Sequence, residues 1–259
     1  MILHVTNGES AGGSLRRLFP ADTVLCWNDV LHDGPVPPGL PLAELSEERA
    51  RFIASCGWAS YEDALAQFRH RDDLLARHCE FAGTVLWFEH DLYDQLQLIQ
   101  ILDRFDVPNS RLWLIQAGDY LGCMDLGRLS ELWPLRRQVT HQQLAHAKAA
   151  WRAFRSPDPR ALEPLLSPNE HLPYLPAALL RFCEEFPWTT DGLSRTQRAV
   201  AGLRARGLSG KDELFQAFSN AEDPRWMGDS SFFRILDGTA QPRRGWLWDA
   251  AGRRFVPAG

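Results

Sequence analysis

The chain contains no run of ~18 uninterrupted apolar residues, the length a helix needs to cross a bilayer, so no segment reads as a membrane span. It contains no Cys-x-x-Cys pair. Its five cysteines, Cys26, Cys56, Cys79, Cys123 and Cys183, are odd in number and scattered. That argues against a disulfide framework or a thiolate zinc site and points to reduced thiols in a cytoplasm. The opening MILHVTNGES lacks both a basic start and a cleavable apolar segment, and reads as a first strand, not a signal peptide. There is no internal repeat and no low-complexity tract. An overall basic excess is missing too: the net charge is −5, and it is unevenly spread. Residues 1–125 carry 9 Lys/Arg against 19 Asp/Glu, residues 126–185 carry 8 against 6, and residues 186–259 carry 11 against 8. The acidic first half repels nucleic acid unless a metal intervenes; the mildly basic last part tolerates it.

What is present suits a globular protein. With 45% apolar and 24% charged residues over 259 positions, the chain can bury a sizeable core in one large or two modest domains. Four short runs, Ile2–Thr6, Thr23–Trp27, Thr84–Phe88 and Arg111–Gln116, are nearly continuously apolar, as strands covered on both faces are. Helical patterns lie between them at Ser10–Leu18, Leu45–Ser55, Tyr61–Glu80 and Leu92–Phe105. This alternation predicts an α/β, Rossmann-like domain with a doubly wound parallel sheet over residues 1–125. Residues 126–185 read as a helical connector, with helices at Leu126–Leu132, Thr140–Phe154 and Pro176–Glu185. Residues 186–259 read as three helices (Ser194–Arg206, Lys211–Phe218, Ser230–Leu236) closed by a strand–turn–strand at 246–256, a winged-helix-like plan.

In an open parallel sheet, ligands sit beyond the carboxyl ends of the strands, and the polar motifs of this chain fall there. Asn7-Gly8-Glu9-Ser10 follows the first strand. Its glycine allows a tight turn, and its serine can cap the next helix, so the loop has the makings of an anion site, although it has neither the Walker lysine nor GxGxxG. The plain alternative is an ordinary strand-to-helix turn. Asp29 and His32-Asp33 follow the second strand; Glu89-His90-Asp91, then Asp94-Gln95, follow the third. Imidazole beside carboxylate suits proton transfer or a divalent metal, so His32, Asp33, His90 and Asp91 are candidate catalytic residues and Glu89, His90 and Asp91 candidate metal ligands. Asn7, Gly8, Glu9, Ser10, Asp29, Asp94 and Gln95 are candidate ligand-binding residues. The alternative for the third motif is a helix cap at Asp91. So many like charges at one edge call for a neutralising partner, whether a cation, a metal or arginine. Glu9-Ser10 also resembles the Asp-Ser start of small-domain esterases, but the late Asp-x-x-His that those need is missing. In the last part, Arg243, Arg244, Arg253 and Arg254 could meet phosphates, while the helix at Ser230–Leu236 is poor in base-reading side chains, which favours packing or protein contact over DNA.

Asn7-Gly8-Glu9-Ser10, Leu31-His32-Asp33-Gly34-Pro35-Val36-Pro37 and the segment Trp87 to Leu96 (WFEHDLYDQL), together with DGLSRTQR at 191–198 and GDSSFF at 228–233, are similar to motifs of a bacterial family catalogued only as a domain of unknown function. Glu9 stands where that family more often has Asp. The resemblance implies no activity.

The expectation is therefore an enzyme binding a small phosphorylated or nucleotide-like ligand, with a divalent metal as candidate cofactor and hydrolysis or group transfer as the reaction. The rival is a ligand-sensing regulator whose C-terminal part contacts DNA or protein.

Overall fold

The computed structural model describes residues 1–107, 111–240, 243 and 245–258. Its centre is a five-stranded, mostly parallel sheet built from β1 (Ile2–Thr6), β2 (Thr23–Cys26), β3 (Gly83–Phe88), β4 (Leu112–Gln116) and β5 (Arg137–Gln138), in the spatial order β2-β1-β3-β4-β5. The first four strands run parallel and β5 is antiparallel to β4. The α/β class and the four parallel strands match the apolar runs of the sequence. The edge strand β5 does not announce itself, because two polar residues, Arg and Gln, carry no apolar pattern.

Helices cover both faces of the sheet. Successive residues of β3 point to opposite sides, as the two-residue period of a strand demands. Val85 and Trp87 pack with Ala11 and Leu15 of α1 (Gly8–Leu18) on one side. Leu86 and Phe88 join the larger core on the other, which includes α4 (Leu92–Leu102), α6 (His141–Phe154) and α7 (Leu175–Cys183). α4 is buried almost all round between the sheet, α6 and α7, which explains why its sequence is too apolar for a single helical stripe. Between β2 and β3 the chain forms α2 (Leu42–Ser55) and α3 (Tyr61–Ala76); α5 (Leu126–Leu132) precedes β5.

The last part contains α8 (Arg195–Ala205), α9 (Lys211–Ala221), α10 (Asp229–Leu236) and an antiparallel hairpin of β6 (Trp246–Asp249) and β7 (Arg254–Pro257). Ser194 caps α8 as expected, in a reciprocal pair with Gln197. α10 starts one residue earlier than its pattern suggested, behind Gly228, and Asp229 bonds the amide of Ser230. One apolar core runs from the sheet into these elements. A file of rings marks the path, Phe154–Phe182–Phe186–Phe255–Trp248, with neighbouring centroids 4.7 to 6.0 Å apart. Ring pairs at such distances contribute ~0.5–1.5 kcal/mol each beyond simple burial. No helix among the described residues is long and apolar enough to cross a membrane, and the five cysteines are free thiols.

Candidate functional site

The strand order reverses between β1 and β3: from β1 the chain steps outward to β2, then returns across β1 to β3 and on to β4. At such a point the loops leaving two adjacent strands diverge and open a crevice at their carboxyl ends. β1 delivers Asn7 and Gly8 to this crevice; β3 delivers Glu89 to Asp91.

Local chemistry shapes the β3 side. Asp91 is the N-cap of α4 and accepts the amide N–H of Asp94 at 3.0 Å. Asp94, one turn inside the helix, turns back: its Oδ1 accepts the Glu89 amide at 2.8 Å and its Oδ2 the Asn7 amide group at 2.6 Å. Gln95 donates to the Glu89 carbonyl at 2.6 Å. Glu89 in turn accepts the backbone N–H of Leu121 at 2.6 Å from the loop after β4. The result is three carboxylates, Glu89, Asp91 and Asp94, with one oxygen from each lying within 4.8 Å of the others. Asp91 and Asp94 are buried and Glu89 is half-buried. None of the three is ion-paired to Lys, Arg or His among the described residues.

Their protonation reflects that. Burial, reinforced by the Asp94 charge, pushes Glu89 up to about 8 despite the amides of Leu121 and Gly122. Burial raises Asp94 to about 6, against the pull of its bonds from Glu89 and Asn7. Asp91 is held well above the usual carboxylate range by burial and then by Asp94. Glu89 thus holds its proton at neutral pH unless a cation replaces it.

The β1 side is different in character. Asn7 donates to Asp94 and accepts from Gln97 at 3.2 Å, and so ties the two sides of the crevice together. Gly8 opens α1 with φ of +67°, and a Cβ there would meet nothing within 4 Å. The first-turn N–H groups of α1, which have no intrahelical acceptor, start here. Ser10 donates to the Gly122 carbonyl at 3.1 Å, so its hydroxyl is a strut between α1 and the loop after β4. Glu9 is exposed and paired to Arg16 at 2.7 Å, which also lowers its pKa.

Several expected site residues are occupied elsewhere. Asp29 is wholly buried against Arg49 at 2.9 Å, with Arg71 at 3.7 Å. Asp33 pairs with Arg234 of α10 at 3.2 Å. These two carboxylates, with Glu9, are neutralised by arginine and are corrected out of the uncompensated rim. His32 does not join the three carboxylates. It packs between Tyr93 and Trp226 and meets the Ser231 hydroxyl at 3.3 Å. Burial, then the nearby Arg243, lowers it to about 3, so it is a neutral imidazole. His90 faces Tyr120 and Tyr174, and burial lowers its pKa. The side chains that converge are therefore Glu89, Asp91 and Asp94, without His90: leaving the strand, alternate side chains point apart, and the helical turn after Asp91 brings Asp94 in place of His90.

Of the four arginines assigned to phosphates, Arg243 lies across Phe182 and Phe186 and donates to the His32 carbonyl at 2.7 Å, which turns it inward. Arg253 and Arg254 are exposed, the latter paired with Asp249. Arg244 lies outside the described residues.

The sequence reading missed Arg49. Leu45, Arg49 and Phe52 share one face of α2, and all are buried. An arginine at i+4 inside an apolar stripe was the available signal. The loop Arg49 holds is tightly fitted: Gly34 has φ of +74°, and a Cβ would come within 2.5 Å of the Phe52 ring. Gly34→Ala is expected to cost more than about 2 kcal/mol through left-handed strain and overpacking. Urea denaturation checks this, and an unchanged midpoint refutes it.

No protein-family model matches the chain, and no curated protein matches its sequence.

Proposed function

We propose that the protein is a metal-dependent enzyme acting on a small phosphorylated or nucleotide-like ligand at the carboxyl ends of β1 and β3, by hydrolysis or group transfer. The observation that carries this reading is the carboxylate trio Glu89, Asp91 and Asp94, desolvated, crowded and without a basic partner among the described residues. Hard oxygen donors of this kind suit Mg²⁺ or Mn²⁺. A divalent ion would supply Lewis-acid polarisation of a phosphoryl oxygen. Asp91 and Glu89, which keep lone pairs beyond the backbone amides they accept, are the residues to hold it, with Asp94 fixed beside them by Asn7. Across the crevice, the open backbone at Gly8 and the positive end of α1 suit the anionic part of the same ligand. The reversal of strand order at this point favours a Rossmann-like plan. With Ser10 committed to Gly122, a serine-nucleophile reading has no support.

In the same reading the C-terminal part is a winged-helix-like unit used for packing. Supporting this, α10 turns two of its polar side chains inward, Ser231 on His32 and Arg234 on Asp33, and Arg243 is engaged on the phenylalanines.

Titration calorimetry with MnCl2 at pH 8, followed by ADP with and without Mn²⁺, tests the function. The reading expects Mn²⁺ to bind with Kd below about 1 mM and to tighten ADP. Absence of Mn²⁺ heat, together with ADP binding that ignores the metal, removes it.

A further inference from the structure

We infer that the cavity beyond the carboxyl end of β2 is a subsite for a flat, uncharged heteroaromatic ring with the chemistry of a nucleobase. This rests on the nucleotide-like reading of the ligand and says where its base would lie. The cavity measures about 380 Å³, within the range of small-molecule sites, roughly 300–1,000 Å³. It opens between the Asn28-Asp29-Val30 turn, α3 and the start of α10. It adjoins the crevice at β1: the side-chain amide of Gln97 donates to Asn7 at 3.2 Å and to the carbonyl of Asp29, a residue of the cavity wall, at 3.0 Å.

The walls are the first argument. Three aromatic side chains line the cavity: Trp58 from the turn between α2 and α3, Phe68 of α3 and Tyr93 of α4. Each is braced from within the protein, Trp58 by the Phe52 ring at 5.7 Å, Phe68 by the Arg71 guanidinium at 4.4 Å and Tyr93 by the His32 ring at 5.2 Å. His32, which stays away from the carboxylates, is thus a support for this wall. Rings held around open space forfeit contacts that a flat ring entering between them restores. Stacking on such a platform contributes ~1–3 kcal/mol per base.

The polar edges of the same rings are the second argument. The Tyr93 hydroxyl and the Trp58 Nε1 have no hydrogen-bond partner among the described residues, and neither is sealed from solvent. The side-chain amide of Gln67, exposed on α3 and also in the wall, is likewise unspent. A plain hydrocarbon would use none of these groups. Ring nitrogens and exocyclic amino or carbonyl groups would use them, and such edge contacts are how nucleobases are told apart.

Charge decides against the other occupants. Among the described residues no lysine, arginine or histidine lines the cavity, so nothing there holds a phosphate or a carboxylate. Asp29 is spent on Arg49, and Asp229 is exposed and accepts from the amide and hydroxyl of Ser230. An organic cation would find two of the three rings already facing guanidinium groups, Phe68 that of Arg71 and Trp58 that of Arg234 at 5.8 Å. An uncharged ring meets none of these costs.

The test uses the full chain in EDTA, with adenosine, inosine and cytidine as probes and ribose and choline as contrasts. At least one nucleoside is expected to bind with Kd below about 1 mM, and at about 5 mM to raise Tm by roughly 2 °C or more. Ribose and choline leave Tm unchanged. Trp58→Ala weakens the nucleoside at least about tenfold. If that variant does not fold, Ala59→Trp, which fills the cavity, is expected to abolish binding. The probes carry no phosphate and need no metal. A nucleoside that binds to a protein indifferent to Mn²⁺ therefore removes the metal reading alone, and Mn²⁺ binding without any nucleoside shift removes this inference alone. It is overturned if none of the three nucleosides shifts Tm, if ribose or choline binds as well as they do, or if nucleoside binding survives either folded variant.

Discussion

The Glu89→Gln/Asp91→Asn double variant is expected to be more stable than the wild type above about pH 7 in metal-free buffer, by on the order of 2 kcal/mol, and to gain nothing from Mn²⁺. Both replacements keep the local bonds: a glutamine at position 89 can still accept the Leu121 amide, and asparagine is as good an N-cap as aspartate at position 91. What they remove is the need to hold three acids together out of water. Glu89 and Asp94 have folded pKa values raised to about 8 and about 6, and Asp91 is also raised. For groups raised in this way the folded state binds more protons than the unfolded chain. Their stabilising contribution is complete below the unfolded pKa, near ~4, and is lost as pH climbs through about 6 and then about 8. The metal-free wild type should therefore lose up to about 1.4 kcal/mol per pH unit for each such proton, and the variant much less. In MnCl2 the wild-type trend reverses, because the ion takes the place of the protons and binds better as they leave. Melting curves from pH 5 to 8.5 in EDTA and in MnCl2 decide it. A variant less stable than the wild type at pH 8, with the same response to Mn²⁺, would show that the trio is merely structural.

Replacing Arg49 by Met should cost ~3–5 kcal/mol, the usual result of breaking one side of a buried ion pair. The side chain is wholly buried, bonds Asp29 through Nε at 3.0 Å and Nη2 at 2.9 Å, and spends its remaining donors on the carbonyls of Val30, Asp33 and Pro35. It thus stitches the turn that carries His32 and Asp33 to α2. Without it, Asp29 keeps Arg71 only at 3.7 Å, the carbonyls of Asp33 and Pro35 lose the guanidinium, and that of Val30 keeps only the Asp33 amide at 3.0 Å. A loss of this size lowers Tm by roughly 10 °C in a domain of this length. Asp29→Asn in the same chain should restore part of it by removing the stranded charge. Urea unfolding of the single and double variants measures both terms, and a single-variant loss below about 1 kcal/mol would mean that the pair is dispensable.

Much of the fold was readable along the chain. The apolar runs ending at Thr6, Phe88 and Gln116 end where β1, β3 and β4 end, and the Asp91 and Ser194 caps start their helices as their spacing implied. Both signals are local: strand and helix periods repeat over a few residues, and a cap needs only the next turn. The edge strand β5 escaped because pairing with β4, not composition, makes it a strand.

The site was half readable, for a different reason. Glu9, Asp29, Asp33, Glu89, Asp91 and Asp94 look alike as letters, all acidic and all near strand ends. Three of them have an arginine in reach, supplied by α1, by α2, and by α10 from the far end of the chain, and three do not. Coulomb energy depends on distance and on exclusion of water, neither of which is a property of neighbours in sequence. The order of apolar and polar residues was therefore enough to say that an acidic edge exists where β1 and β3 end. Which of its carboxylates stand without a counter-charge, and that His32 packs between Tyr93 and Trp226 instead, came from the packing of α2, α10 and the C-terminal helices against that edge.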